Sequence, residues 1–172
     1  MTFHPLKNTQ DRFFNTAWEL YEEAFPPQEK RFLAEQIQLL DNHCYTFQAI
    51  HENHTFIGII GFWTIEDFIF IEHFAINSSL RGKNYGTLIL SEFLKEKKYV
   101  ILEIEPPLNQ QNLKRLHFYK NLGFVQNTIE HFQVPFRTGD TPIALELLSY
   151  KTPLAQEKYQ FLYSSMQKLL PI

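Results

Sequence analysis

The sequence has one cysteine in 172 residues, which rules out an internal disulfide, and Cys44 fits a reducing compartment. No apolar run approaches the ~20 residues that a membrane helix needs. The opening stretch Met1–Gln10 has no charged segment followed by an apolar one, so it does not read as a signal peptide and cytoplasmic residence is expected. Positive charge is not in excess either. A formal net charge of -3 gives no electrostatic reason for a polyanionic partner, so neither nucleic acid nor membrane is expected. The short basic run Lys95, Lys97 and Lys98 is interrupted by Glu96 and reads as a solvated helix face. His43, His51 and His54 fit no zinc spacing, and no metal site is expected. Repeats, low-complexity tracts and domain-sized linkers are absent. The expectation is therefore one domain over residues 1–172, with a core of about 9–149 and a helical extension over 152–170.

What is present is an ordinary globular balance, 44% hydrophobic and 20% charged, with 17 Phe raising the aromatic share to 16%. Residues Thr9–Phe25 carry helical spacing through Phe13, Phe14, Ala17, Leu20, Tyr21 and Ala24, and Pro26–Pro27 stops them. A second helix runs to about Leu40. The period then changes to three strands, Tyr45–Ile50, Thr55–Ile65 and Phe68–Ile76, joined by short polar links as in an antiparallel meander. A helix from about Tyr85 to Glu96 precedes the strand Tyr99–Ile104, which can therefore pair parallel to the strand before that helix. Asn109–Asn121 is helical and Gly123 caps it. Strands are expected around Ile129–Phe136 and Pro142–Ser149. Thr152–Pro153 reads as the start of a last helix. This order predicts an α/β protein with a mixed central sheet of six to seven strands flanked by helices.

The strongest chemical signal is the strand–loop–helix unit from Ile69 to Leu94. A helix start presents unpaired N–H groups and the positive end of the helix dipole. Gly82 and Gly86 leave room for an anion to approach the backbone, and Arg81 and Lys83 add charge. The residues alone predict an anion-binding turn, with an ordinary strand-to-helix connection as the alternative. The turn lacks the Gly-Lys-Ser/Thr ending of a P-loop, and the chain has no Rossmann glycine pattern.

The stretch Ile71–Ile76 followed by Arg81–Gly82–Lys83–Asn84–Tyr85–Gly86 resembles the acetyl-CoA signature of the GNAT superfamily of N-acetyltransferases. That signature is Arg or Gln, two residues, Gly, one residue, then Gly or Ala. Arg81 and Gly86 match, and Asn84 stands where the first glycine is usual. Downstream, Asn112, Phe118–Tyr119 and Leu122–Gly123–Phe124 are similar to the family's second hallmark helix and strand. The resemblance covers roughly Phe13 to Ser149.

It implies a GNAT-like (acyl-CoA N-acyltransferase) fold with acetyl-CoA as co-substrate, transferring acetyl directly to a primary amine of a small molecule or peptide in a ternary complex. The main chain of Phe74, Ala75 and Ile76 would pair with the pantetheine arm. Arg81, Gly82, Lys83, Asn84, Tyr85, Gly86 and Thr87 would hold the pyrophosphate, and Asn112 would contact the cofactor from the next helix. Glu72 would take the amine's proton, directly or through water, or hold the amine; otherwise it is a strand-edge carboxylate paired with a lysine. Tyr119 would give the leaving thiolate its proton; otherwise it is an aromatic packed on the sheet. His73, next to Glu72, should point to the other face. Glu103 and Glu105 share a face and could recognise a cationic acceptor, or form a solvated edge. Phe25, Phe32, Phe62, Trp63 and Phe132 could line the acceptor site. A monomer or homodimer fits the sequence, and the rival to an enzyme is a non-catalytic acyl-CoA-binding or interaction module of the same fold.

Overall fold

The computed structural model describes residues 1–137 and 139–170. Its elements in order are β1 (Thr2–Pro5), α1 (Phe14–Ala24), α2 (Leu33–Leu39), β2 (Tyr45–Glu52), β3 (Thr55–Ile65), β4 (Phe68–Ile76), α3 (Tyr85–Leu94), β5 (Val100–Ile104), α4 (Gln110–Asn121), β6 (Phe124–Gln126), β7 (Glu146–Tyr150) and α5 (Gln156–Leu169). Short 3-10 turns occupy Pro27–Glu29 and Ser78–Leu80. The strands form one mixed sheet in the order β1-β2-β3-β4-β5-β7-β6. β4 and β5 are neighbours joined through α3, the kind of crossover that a parallel pair requires. Among the described residues no helix is long and apolar enough to cross a membrane.

The chain divides into two compact units. One comprises Met1–Thr64 and Ile71–Glu92, the other Ile65–Phe70 and the chain from Phe93 onward. In the first, α1 buries Phe14, Ala17, Leu20 and Tyr21, one side of the helix as its spacing predicts. The same unit buries Ala49 and Ile50 of β2, Ile59, Ile60 and Trp63 of β3, and Ile89 and Leu90 of α3. The second unit has its core in Val100, Ile101 and Leu102 of β5, Leu147 and Leu148 of β7, and Leu162 and Met166 of α5. Along β4 the buried positions are Phe68 and Phe70, then Ile71, His73 and Ala75. The period-2 alternation thus slips by one residue at Phe70–Ile71, where the chain passes from one unit to the other.

Three boundaries differ from the sequence expectation. Helix α1 starts at Phe14 rather than Thr9, because Asp11 accepts the amide of Phe13 and bonds His4, which fixes a turn before the helix. No regular strand forms over Ile129–Phe136. The segment keeps a single bridge, Phe132 to Ala144, and Pro135 has no N–H to extend a ladder. The last helix begins at Gln156 rather than Pro153. Asn127 accepts the amide of Leu154, and the Thr152 carbonyl accepts the Ser149 hydroxyl, so this stretch is tied to its neighbours instead of winding into the helix.

Candidate active site

The anion turn opens where β4 ends. The side-chain oxygen of Asn77 accepts the amide of Ser79 at 3.1 Å and shapes the 3-10 turn. The Nε of Arg81 then donates back to the Ile76 carbonyl at 3.1 Å. Gly82 and Asn84 both have left-handed backbones, with φ of 76° and 65°. Asparagine is among the few residues other than glycine that visit this region routinely, so Asn84 provides the conformation a glycine would. The Asn84 carbonyl accepts the amide of Leu88 at 3.2 Å, closing the first turn of α3. The amides of Tyr85, Gly86 and Thr87 in that turn have no intrahelical acceptor. Arg81, Gly82, Lys83 and Asn84 are exposed, and a Cβ placed on Gly82 would meet nothing within 4 Å.

Upstream, the Ala75 carbonyl lies close against Gly58 of β3, where a Cβ on that glycine would stand 2.3 Å from the oxygen. Glycine at 58 therefore sets where β4 runs at Phe74–Ile76. Two residues earlier, both oxygens of Glu72 are taken by Arg31, with Nη1 donating to Oε2 at 2.6 Å and Nη2 to Oε1 at 2.9 Å. The two side chains are 0% and 3% exposed. Burial alone would raise the pKa of this carboxyl. The Arg31 charge, with hydrogen bonds from His73 and Arg31, outweighs that and holds the pKa at about 2.

His73 is buried and donates from Nε2 to the Glu29 carbonyl at 2.7 Å. Its Nδ1 is 3.3 Å from Glu72 Oε2, so the two neighbouring residues converge on the segment 29–31 instead of diverging to opposite faces. Arg31 is held further by Tyr21, whose hydroxyl accepts its amide at 2.8 Å, and its guanidinium lies 5.6 Å from the Trp63 ring. Trp63 is fully buried, whereas Phe32 is 62% exposed and Phe132 38%. Arg31 is the residue that the sequence did not reveal. It sits in a polar connection after two prolines, where an arginine ordinarily faces solvent.

The second unit holds the remaining candidates. The side-chain amide of Asn112 donates to the Pro106 carbonyl at 3.1 Å, while its backbone N–H bonds the N-cap Asn109. Asn112 thus fastens the start of α4 to the end of β5. Tyr119 packs against Phe118 and Phe124, with ring centroids 5.1 and 5.7 Å away. Desolvation pushes its phenol up to about 12, against an opposing pull from Arg115. Glu103 and Glu105 go to different partners. Glu105 pairs with Arg115, and Glu103 Oε1 accepts from Nε2 of His131 at 2.6 Å. The structure therefore brings Glu72, Phe74–Ile76 and Arg81–Thr87 into one unit, and Asn112 and Tyr119 into the other.

Residues 11–124 match the model of the Acetyltransferase (GNAT) family, more than half of the chain. The chain is 27% identical over 109 residues to the candidate acetyltransferase YjbC of Bacillus subtilis (strain 168). That match covers 62% of this chain and 55% of YjbC, so the chain spans about half the length of this relative. A solved candidate acetyltransferase of the GNAT family from Bacteroides thetaiotaomicron superposes with a TM-score of 0.91 at 26% identity, covering 98% of this chain and 97% of that one. A Bacillus subtilis acetyltransferase solved in complex with CoA shares the fold, with a TM-score of 0.60 at 12% identity over 88% of this chain and 99% of that one.

Proposed function

The chain belongs to the GNAT acetyltransferase family, and we propose that it transfers the acetyl group of acetyl-CoA to a primary amine of a small molecule or peptide. The observation that carries this reading is the turn Arg81–Thr87, with left-handed Gly82 and Asn84 opening a helix whose first amides have no acceptor within the helix. A phosphate needs such converging N–H groups and an unobstructed approach. A solved family relative with CoA bound supports the same cofactor here.

In this reading Arg81–Thr87 hold the pyrophosphate, the main chain of Phe74–Ile76 pairs with the pantetheine arm, and Asn112 contributes from α4. Acetyl-CoA supplies an activated acyl carbon and a thiolate leaving group. The acceptor's neutral nitrogen forms the new C–N bond as the C–S bond breaks, in a ternary complex, and the proton that the nitrogen then sheds replaces, by way of solvent, the one that Tyr119 gives to the thiolate. Tyr119 gives its phenolic proton to the departing thiolate, and its desolvated phenol, pushed up to about 12, carries that proton at neutral pH. Glu72, expected to take the amine's proton or to hold the amine, acts in this reading as the anion of a buried pair with Arg31. With both oxygens on Arg31 it stays ionised, and it holds Arg31 against β4 beside Phe74–Ile76.

Thiol release from acetyl-CoA, measured against polyamines, amino acids, aminoglycosides and peptides, tests the reading. Release with at least one acceptor is expected, and Tyr119→Phe should lower kcat by roughly 100-fold or more while CoA still binds. CoA binding with no release for any acceptor would make the chain a non-catalytic acyl-CoA-binding module.

A further inference from the structure

Resting on the acetyl-transfer reading, we propose that Glu103, His131 and Tyr159 form a recognition site for a cationic group of the acceptor. Glu103 binds that cation, and His131 and Tyr159 act as positioning residues.

Glu103 is the one residue of β5 that is only partly buried, and its side chain is 8% exposed. A carboxylate so enclosed must be satisfied or it costs several kcal/mol (~2–7 for an unpaired polar group, and more for a charge). One oxygen is satisfied. Oε1 accepts from Nε2 of His131 at 2.6 Å, and the His131 side chain is 0% exposed. The other, Oε2, accepts no hydrogen bond among the described residues and is not one of their buried unpartnered atoms, so it is left open to solvent or to a ligand.

The imidazole cannot swing away to serve another group. Its Nδ1 lies 3.0 Å from the Tyr159 hydroxyl, which is placed in turn by a 3.3 Å bond to the Glu130 carbonyl. Tyr159 also stacks on Tyr163, and both rings meet the imidazole edge-on at centroid distances of 5.7 and 5.6 Å. The result is a carboxylate aimed from one side, with a spare oxygen and tyrosine rings close by. An ammonium suits it, since it offers three N–H donors, a charge for the carboxylate and attraction to aromatic faces.

The chemistry indicates which ammonium this is. A nearby carboxylate favours the charged form of an amine, whereas the nitrogen that attacks a thioester must be neutral. Glu103 therefore suits a cation that does not react, so the acceptor carries at least two amino groups, as a diamine or polyamine does.

The test compares a linear diamine with the monoamine of equal length as acceptors. The wild-type protein is expected to prefer the diamine by about tenfold or more in kcat/KM, chiefly through KM. Glu103→Gln should abolish that preference, and Tyr159→Phe, which removes one hydroxyl, should narrow it in the same sense. If Glu103→Gln does not fold, Tyr159→Phe carries the comparison. A diamine preference that survives in Glu103→Gln, is undiminished in Tyr159→Phe, or is absent from the wild type overturns the site. Titration of the diamine followed by NMR separates this from the transfer reading. Shifts that depend on Glu103 without any turnover would keep the site and remove the activity.

Discussion

Arg31 and Glu72 stand 41 positions apart in the chain, and their side chains are almost fully enclosed. Each would be intolerable there without the other. Arg31→Met is accordingly expected to cost about 3–5 kcal/mol in urea unfolding, because it strands the Glu72 charge. The double replacement Arg31→Met with Glu72→Met should cost markedly less. The pair also sets a pH dependence. Glu72 has its folded pKa depressed to about 2, below the ordinary carboxylate value near ~4.3, so its contribution is whole above that ordinary value. It drains away as pH falls toward 2. Wild-type stability measured from pH 6 down to pH 3 should therefore fall more steeply than that of the double variant. Equal slopes would show that the pair is not ionised as drawn. The sequence displayed Glu72 through its place on the strand, but it displayed only half of the interaction. A partner so distant in the chain leaves no local period or spacing to read.

Among the elements, the strand–turn–helix unit was legible because its cues are local. An apolar strand, a turn with two glycines and an amphipathic helix each reveal themselves within a few residues. Strand β1 and the stretch between β6 and β7 were not, since their conformation depends on partners elsewhere. Thr2–Pro5 is strand because it pairs with Gln48–His51, and His131 leaves a regular ladder to reach Glu103 and Tyr159. Gly58 shows how strongly one element can constrain another. In Gly58→Ala the new methyl would fall 2.3 Å from the Ala75 carbonyl oxygen, so β4 must move. Thermal unfolding should report a loss of about 1–3 kcal/mol. CoA affinity by calorimetry should fall with it, because the displaced carbonyl belongs to the segment proposed to pair with pantetheine. An unaltered affinity in a folded variant would remove Phe74–Ile76 from the binding surface.

At the scale of the whole molecule, the family match ends at residue 124, yet the chain beyond it is part of the fold. Helix α5 buries Leu162 and Met166 to 1% exposure and sends Tyr159 to His131. Each such apolar side chain contributes about 1.5–3 kcal/mol. Ending the protein after Tyr150 should therefore lower the melting temperature steeply, or prevent soluble expression altogether. A truncated chain that melts like the full one would make the helix an ornament. The sequence announced this helix by its spacing, but not that it completes a hydrogen-bonded chain begun on β5. The two compact units are also interleaved along the chain, the first being interrupted by Ile65–Phe70. Heredity and engineering feel this directly. A recombination event with a single crossover between residues 31 and 72 joins the Arg31 of one parent to the strand residue of the other. Such chimeras inherit a working buried pair only when the first parent supplies the arginine and the second the carboxylate. Relatives that differ there must exchange both segments together.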